Sequence, residues 1–296
     1  MGEGSVGHTA EPGCARRPFV TLVNDVSVLD PDPSSVPPAA ASPAAIPAPT
    51  DAERAFADLL PIEADPDAAR AVLAAVPLWF HTFALNREHG LYTPGVARDH
   101  RYRAPVLEDD YSGLAVLDVG TFDGFYAYLA EHRGAVRVLA VDNEQYVHWV
   151  RARWGIDLHG GEGLRAIGRL LDTRVEYQRL DAFELAALTE RFDRILCFGI
   201  LHRVENPLGL LRLLHGLTAP GGRVLVETHG SDAAGDRDIE VQCPGDVYAG
   251  DDFVYWGFSG GAIERLAAIA GFARAVPLGT VRVDEHPRVM TRLEID

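Results

Sequence analysis

From residue 115 onward, short apolar runs alternate with segments in which apolar residues recur at helical spacing. Runs with the length and composition of buried strands lie at 115–119, 136–141, 194–198 and 223–228, and the more polar residues 174–179 are the third of the five predicted strands. The helically spaced segments between them lie at 125–133, 145–154, 163–171 and 207–217. Strands that alternate with helices are typical of parallel sheets. The pattern therefore predicts an α/β domain built around a mostly parallel sheet.

The end of the chain departs from this alternation. A predicted helix at 261–270 precedes two strand-like runs, at 275–283 and 289–295. The residues Asp284-Glu-His-Pro287 separate the two runs and favour a turn. We therefore expect a mostly parallel seven-stranded sheet that ends in a C-terminal antiparallel hairpin.

Residues 1–49 have a different composition from the rest of the chain. They are rich in proline, alanine, serine and glycine, and they offer little apolar surface to offset the entropy lost on ordering. We expect a disordered tail. Within it, Phe19-Val-Thr-Leu-Val23 is consistent with a short strand, and equally with leader sequence ahead of a later start codon.

Residues 50–110 are predicted to form a helical cap and lid. Thr50, followed by Glu53 three residues later, has the pattern of a capping box, and a second helix is predicted at 67–80. The next segment, 89–103, is turn-rich, aromatic and basic. This composition suits a lid over an anionic group.

The remaining residues, 111–296, form the predicted catalytic domain. Its fifth strand is separated from the following helix by a long segment, and we interpret residues 231–257 as an insertion. An insertion at the carboxyl end of a strand is well placed to shape a pocket.

The charge balance bears on the class of partner. The 296-residue chain is 47% hydrophobic, enough for a sizeable core, and carries a formal net charge of −16. All 27 basic residues are arginines, so no lysine is available for catalysis. Affinity for nucleic acid depends largely on cationic side chains. The composition therefore makes nucleic acid an unlikely partner and favours a small-molecule acceptor.

The three cysteines, Cys14, Cys197 and Cys243, are too few and too scattered for a disulfide framework or a zinc site. We expect a cytoplasmic protein without a bound metal. No run approaches the ~20 apolar residues that span a bilayer, so no membrane association is predicted. The oligomeric state is left open.

A glycine-rich turn follows the first predicted strand. Asp118, Gly120 and Gly124 form a D-x-G-x-x-x-G pattern between a strand and a helix, and Thr121 and Phe122 lie within the turn. Glycines permit the turn and a close approach of backbone to a ligand, while the helix N-terminus supplies oriented N–H groups. The pattern predicts a cofactor site, although the glycines could serve the turn alone.

Two further aspartates follow the next two strands. Asp142, with Asn143 after it, closes the second strand about 20 residues beyond the glycine turn, where a carboxylate can accept both hydroxyls of a ribose. Asp181 and Ala182 follow the third strand, where a carboxylate and a backbone N–H can bind adenine. Asp181 could equally be a helix N-cap. The three strand ends together predict a nucleoside site beside an anionic loop that suits a cationic cofactor.

Catalytic candidates follow the fourth and fifth strands. Phe198 and Gly199 end the fourth strand at the predicted cofactor edge, and His202 is the candidate general base, with Glu205 as a possible orienting partner. His229, after the fifth strand, is the second histidine candidate. Each histidine has a structural alternative: His202 in the core, and His229 in a surface loop.

Aromatic residues of the insertion predict a wall of the acceptor pocket, or alternatively the core of the insertion. These residues are Tyr248, Tyr255 and Trp256. Tyr92 and Arg98 of the predicted lid are candidates to contact a carboxylate of the cofactor. Trp149 and Trp154 have near-helical spacing and are interpreted as packing residues.

These motifs resemble those of class I S-adenosylmethionine methyltransferases, which have a Rossmann-like fold. The likeness rests on Asp118-x-Gly120, Asp142, Asp181 and Gly199-Ile-Leu-His202, and covers roughly residues 111–230. A looser likeness extends to about residue 272 and is to the tRNA wobble-uridine carboxymethyltransferases. It rests on Gly199-Ile-Leu-His-Arg-Val-Glu-Asn-Pro-Leu208, Val226-Glu-Thr228, Pro244-Gly-Asp-Val-Tyr-Ala249 and Val254-Tyr255. The resemblance implies S-adenosyl-L-methionine as cofactor.

The departures from that tRNA-modifying family change the expected reaction. The family holds the extra carboxylate of a carboxylated cofactor with a lysine among other groups, and this chain has no lysine. Arg288 could stand where the family has an arginine. We therefore predict transfer of a methyl group from ordinary S-adenosylmethionine to an oxygen or nitrogen of a small molecule, in specialised metabolism. The alternatives are a tRNA wobble-uridine modifying transferase and a non-catalytic cofactor-binding protein.

Overall fold

The computed structural model describes residues 46–97, 100–232, 235–243, 245, 247–248, 251–283 and 286–296. The expected tail and the Phe19–Val23 run lie outside this part of the chain, apart from residues 46–49. The helices are α1 (Asp51–Ala57), α2 (Pro66–Ala75), α3 (Phe125–His132), α4 (Tyr146–Trp154), α5 (Glu162–Leu171), α6 (Pro207–Leu217) and α7 (Gly260–Ala270). Short 3₁₀ helices lie at His100–Val106, Glu184–Ala187 and Leu201–Arg203.

The strands follow the predicted order along the chain, with four short additions outside the central sheet. They are β1 (Ala84–Asn86), β2 (Leu91–Tyr92), β3 (Ala115–Val119), β4 (Arg137–Asp142), β5 (Glu176–Arg179), β6 (Phe192–Phe198), β7 (Thr218–His229), β8 (Ile239–Val241), β9 (Trp256–Phe258), β10 (Arg274–Val283) and β11 (His286–Glu294). The additions are the β1–β2 and β8–β9 pairs.

The central sheet has seven strands in the order β10-β11-β7-β6-β3-β4-β5. The five strands from β3 to β7 run parallel, whereas β11 pairs antiparallel with both β7 and β10. This confirms the predicted Rossmann-like sheet and its C-terminal hairpin. Strand β7 begins at Thr218, earlier than the predicted residue 223, because Thr218 already pairs with Phe192 ahead of the glycine turn.

Alternate residues of the strands enter two hydrophobic clusters on opposite faces of the sheet. Val116 and Val138 lie in one cluster, while Leu117 and Leu139 lie in the other. This alternation follows from the two-residue period of a strand. Helices α1, α2, α3 and α5 contribute to the first cluster, and α6 and α7 to the second. Both faces are therefore covered, and the ends of the strands are left to form a site.

The residues before β3 pack onto the first cluster. Thr50 and Glu53 form the predicted capping box at the start of α1. Helix α2 ends at Ala75 instead of the predicted residue 80, because Pro77 disfavours a helical conformation at Val76, whose backbone is extended (φ −105°, ψ 113°). The chain then runs irregularly and buries Trp79 and Phe83. The predicted division into cap, domain and insertion stays a prediction.

No helix in the described part of the chain is both long and apolar enough to cross a membrane.

Candidate functional site

A cavity of about 580 Å³ opens at the carboxyl ends of the parallel strands. Its lining comes from the ends of β3, β4, β5 and β6, from the segment after α2, and from the insertion. Open α/β sheets bind ligands at this edge, and small-molecule pockets have volumes of this order. The cavity therefore lies at the edge of the sheet for which the sequence predicted a site.

The glycine turn forms one wall of the cavity. Gly120 has a φ of +79°, and a Cβ built on it would lie 2.1 Å from Cδ1 of Ile200. Both the backbone conformation of the turn and the close approach of Ile200 therefore favour glycine at this position. Asp118 is buried and accepts a 2.7 Å hydrogen bond from Oγ1 of Thr121. Burial raises the pKa of Asp118 to about 7. Asp118, Gly120 and Phe122 line the cavity, whereas Thr121 and Gly124 are not among its described lining residues.

Asp142 also lines the cavity and is held by backbone donors. Its two carboxylate oxygens accept from the N–H groups of Phe122 (2.8 Å) and Glu144 (2.7 Å). Burial raises its pKa to about 6. Each oxygen of an ionised carboxylate keeps a second lone pair. The side chain can therefore accept hydroxyl groups of a ribose while it remains fixed in orientation.

Asp181 makes a local turn contact and a contact to the neighbouring strand end. Its Oδ1 accepts from the backbone N–H of Phe183 at 3.0 Å, although the N-cap of the following 3₁₀ helix is Phe183 itself, and Nδ2 of Asn143 donates to its Oδ2 at 3.2 Å. Asn143, Asp181 and Ala182 all line the cavity. The two strand ends are thus joined directly by side chains at the expected adenosine position.

Aromatic rings form much of the wall around this position. Phe122 stacks between Phe80 and Tyr146, with centroid separations of 4.3 Å and 3.6 Å. Trp149 and Trp154 contact each other edge to face at 4.8 Å and also line the cavity. The two rings therefore pack as predicted and in addition form part of the cavity wall, because α4 borders the cavity.

Asp123 of the glycine turn has a structural contact that the sequence did not reveal. Its carboxylate accepts from the backbone N–H groups of Phe80 (2.9 Å) and His81 (2.8 Å) and contacts Nδ1 of His81. Asp123 is not among the described residues of the cavity wall. Its charge therefore holds the segment after α2 against the turn.

The two candidate histidines lie behind the cavity wall. His202 is fully buried; its Nδ1 lies 3.0 Å from Oγ1 of Thr228 and accepts from the N–H of His229 at 3.2 Å. Burial lowers the pKa of His202 well below its ordinary value and that of His229 to about 4. Neither ring belongs to the described lining. A general base must reach the proton that it removes, and this placement does not support that role for either residue.

The predicted acceptor residues separate into two groups. Tyr248 and Tyr255 line the cavity. Trp256 does not, because its Nε1 donates to the carbonyl of Val204 at 2.8 Å. Tyr92 also lies elsewhere and donates to Oδ1 of Asp58 at 3.1 Å, against α1. Arg98 lies outside the described residues.

Two buried arginines share one carboxylate at the opposite end of the cavity, and only Arg288 was named from the sequence. Arg288 donates to Oε1 of Glu227 at 2.5 Å, and Arg103 donates to Oε2. Burial opposes ionisation of Glu227, but the charges of Arg103 and Arg288 outweigh it and lower its pKa to about 2. The basic composition of segment 89–103 was the available signal for Arg103.

A second ion pair connects the insertion to the sheet. Nη1 of Arg203 donates to both oxygens of Asp251, at 2.9 Å and 2.7 Å, and its Nε donates to the carbonyl of Gly199 at 3.0 Å. Asp251 is buried, so this pair is desolvated on the carboxylate side. The contact fixes one edge of the insertion over the end of β6.

Comparison with known proteins identifies the family of the chain. A family described as a methyltransferase domain matches residues 89–274. The chain is 31% identical over 195 residues to a tRNA U34 carboxymethyltransferase of Idiomarina loihiensis, covering 62% of this chain and 54% of that protein. It is 30% identical over 128 residues to a ubiquinone biosynthesis O-methyltransferase of Pseudomonas paraeruginosa, covering 40% and 47%. The chain spans about half the length of the curated relatives it matches.

Solved structures support the same fold. The N-terminal domain of EvdMO1, crystallised in the presence of SAH and D-fucose, superposes with a TM-score of 0.56 at 17% identity, covering 78% of this chain and 96% of that one. At this identity the likeness concerns the fold alone. Because the family match spans more than half of the chain, the chain belongs to the methyltransferase-domain family, within the class I S-adenosylmethionine-dependent methyltransferase superfamily.

Proposed function

We propose that this protein transfers a methyl group from S-adenosylmethionine to an oxygen or nitrogen atom of a small-molecule acceptor, in specialised metabolism. The observation that carries the proposal is a single cavity with two different ends. One end has the aspartates Asp142 and Asp181 beside the glycine turn, and the other has the buried arginines Arg103 and Arg288. The first end suits a nucleoside, and the second suits part of another molecule.

The residues at the first end fit the cofactor. Asp142 is oriented by two backbone N–H groups, and Gly120 adopts the positive φ of +79° that the turn at the cavity wall requires. The aromatic wall around Phe122 and Tyr146 offers apolar surface for an adenine ring. Asp142 would hold the ribose, Asp181 and Ala182 the adenine, and the turn at Gly120 the amino-acid portion.

S-adenosylmethionine supplies a methyl group that is already activated by its positive sulfur. The protein therefore needs mainly to hold the acceptor in line with that carbon and to exclude water. Tyr248 and Tyr255 of the insertion and Phe80 of the N-terminal segment provide walls for this purpose. Because neither His202 nor His229 lines the cavity, we assign no general base. The contribution that we assign to the residues around the acceptor is to position it.

A tRNA acceptor is the second candidate, and the relatives named as tRNA U34 carboxymethyltransferases are the observation in its favour. The net charge of −16 and the absence of lysine weigh against it, since binding of a phosphate backbone depends on cationic side chains. A non-catalytic cofactor-binding protein is the third candidate. A role in cofactor binding alone does not account for a cavity that extends beyond the adenosine end to Arg103 and Arg288.

Calorimetric titration with S-adenosylhomocysteine tests the cofactor assignment. We expect saturable binding by the parent protein and a loss of affinity of ten-fold or more in Asp142→Ala, since hydrogen bonds to a charged group are worth about 1.5–3 kcal/mol. Asp109→Ala is the matched control, because Asp109 is exposed and is not part of the described cavity wall. Equal affinities of all three proteins, or no binding, would contradict the assignment.

Mass spectrometry tests the class of acceptor. A metabolite extract incubated with the protein and S-adenosylmethionine should gain products heavier by one methyl group. Bulk tRNA treated in the same way should not change. Modification of tRNA without any methylated metabolite would favour the second candidate, and binding of the cofactor without any product would favour the third.

A further inference from the structure

We propose that Asp123 is a positioning residue for the cofactor and that it acts through the ring of Phe80. The inference rests on the proposed function, because it takes S-adenosylmethionine to lie beside Asp142, and it does not depend on the identity of the acceptor. It assigns a role in cofactor binding to a carboxylate of the glycine turn that is not among the described residues of the cavity wall.

Two neighbouring residues of the glycine turn place their side chains in different surroundings. Phe122 is half-buried and lines the cavity, whereas Asp123 is 2% exposed and contacts the segment after α2. Phe122 has a φ of +52°, which residues with a Cβ rarely adopt. The carboxylate of Asp142 accepts from the N–H of Phe122 and so helps to hold this conformation. The turn therefore keeps the ring of Phe122 at the cavity and the carboxylate of Asp123 behind it.

Asp123 fixes the backbone of the segment after α2 at Phe80. Its Oδ2 accepts from the N–H groups of Phe80 at 2.9 Å and of His81 at 2.8 Å, and its Oδ1 contacts Nδ1 of His81. Hydrogen bonds from backbone N–H groups to a carboxylate are stronger than those between neutral groups. The carbonyl of Phe80 in turn accepts from the N–H of Ala97 at 2.9 Å. The backbone of Phe80 is therefore held on both sides, and this sets the direction of its side chain.

The side chain of Phe80 stacks on the ring of Phe122. Their centroids are 4.3 Å apart and their planes differ by 17°. Tyr146 of α4 also stacks on Phe122, at 3.6 Å and 23°. All three side chains are half-buried and line the cavity. The ring of Phe80 therefore extends the aromatic wall from the glycine turn to the segment after α2.

This wall begins at the residue that binds Asp142. Phe122 contacts Asp142 through its backbone and Phe80 through its ring, so Phe80 borders the position at which Asp142 would hold the ribose. A ring at this position removes apolar surface of the cofactor from water. Without the carboxylate of Asp123, the segment after α2 would lose two hydrogen bonds that hold Phe80 against Phe122. Asp123 is therefore expected to strengthen cofactor binding without touching the cofactor.

A double-mutant cycle on the affinity for S-adenosylhomocysteine, measured by calorimetric titration, tests the inference. Asp123→Ala and Phe80→Leu should each weaken binding by about five-fold, since both remove the ring of Phe80 from the wall. In the Phe80→Leu background, Asp123→Ala should change the affinity by less than about two-fold, because residues that act as one unit are not additive. Asp123→Asn should weaken binding by only about three-fold, because its amide oxygen still accepts a hydrogen bond. If Asp123→Ala does not fold, Asp123→Asn takes its place in the cycle.

The free energy of unfolding separates positioning from a purely structural role. In Asp123→Ala the N–H groups at residues 80 and 81 lose their acceptor, whichever side chain residue 80 carries. Urea unfolding should therefore show the same loss of stability in both backgrounds, while the loss of affinity appears in the parent background alone. Asp193→Ala is the matched control, because Asp193 accepts from the N–H of Ala115 at 2.8 Å, at the start of β3, and neither residue is among the described cavity wall. This variant should keep the affinity of the parent within about two-fold.

Three results would overturn the positioning role of Asp123. These are equal losses of affinity on Asp123→Ala in the two backgrounds, no loss in either background, and a loss for S-adenosylmethionine several-fold larger than the loss for S-adenosylhomocysteine. The last result would mean that the carboxylate acts through its charge on the sulfonium and not through Phe80. If the parent binds S-adenosylhomocysteine and the cycle is additive, this inference alone fails. If the parent does not bind S-adenosylhomocysteine, the proposed function fails together with the inference.

Discussion

The carboxylate of Asp142 accepts a 2.8 Å hydrogen bond from the backbone N–H of Phe122. This bond joins the end of β4 to the glycine turn that follows β3. The same carboxylate therefore both organises the turn and faces the cavity. Changes at either residue are therefore expected to alter cofactor binding before they alter the fold.

Gly120→Ala should weaken binding of S-adenosylhomocysteine by ten-fold or more. The added Cβ would meet Ile200 at 2.1 Å, and the φ of +79° costs an alanine about 1 kcal/mol. Gly155→Ala is the matched control, because its φ is +65° and no atom lies within 4 Å of an added Cβ. Gly155→Ala should lose about 1 kcal/mol of unfolding free energy, and Gly120→Ala should lose more, because Ile200 must also shift. Similar cofactor affinities in the two variants would contradict the role of Gly120.

Asp142→Asn should change the pH dependence of stability in the cofactor-free protein. Burial raises the pKa of Asp142 to about 6, above its ordinary 3.8, so between these values the folded protein binds more protons than the unfolded chain. This contribution to stability therefore falls as the pH rises from about 4 to about 6.

An asparagine does not titrate, so the unfolding free energy of Asp142→Asn relative to the parent should rise by on the order of 1 kcal/mol between pH 5 and pH 7.5. Urea unfolding at the two pH values measures this difference. If the difference in unfolding free energy were the same at both pH values, or changed with the opposite sign, burial would not raise the pKa of Asp142.

His202 should remain neutral from pH 5.5 to pH 8. Its ring is fully buried, and burial together with the neighbouring positive charge of Arg203 lowers its pKa well below the ordinary value. Two-dimensional NMR of the imidazole nitrogens checks this, with His202→Gln used to assign the signal. A midpoint above pH 6 would restore His202 as a candidate base.

Glu227→Gln should destabilise the protein by about 3–5 kcal/mol. The substitution removes the carboxylate that both Arg103 and Arg288 contact, and with it a negative charge that offsets two buried cations. Glu264→Gln on the exposed face of α7 should stay within about 0.5 kcal/mol of the parent. Chemical unfolding measures both. Equal stabilities would mean that the buried charges are solvated or neutralised in another way.

The sequence determined those features of the fold that depend on local physics. The apolar runs of β3, β4, β6 and β7 and the turn residues between β10 and β11 predicted most of the sheet, because strands that are buried on one or both faces need apolar side chains. Gly120, Asp142 and Asp181 were identified because each follows a strand at the edge where such sheets bind ligands. These residues all line the cavity, and their roles in binding stay proposals.

Tertiary structure decided where the side chains between these points lie. Arg103, Glu227 and Arg288 come from a 3₁₀ helix, β7 and β11, and no local spacing relates them. His202 follows β6 and His229 ends β7 at the predicted edge, yet neither ring lines the cavity, because His202 packs against Thr228 and His229 against Tyr248 of the insertion. The local sequence determines that a residue lies at the end of a strand. Whether its side chain is exposed depends on the elements that pack over that strand end, and these elements come together only in the folded protein.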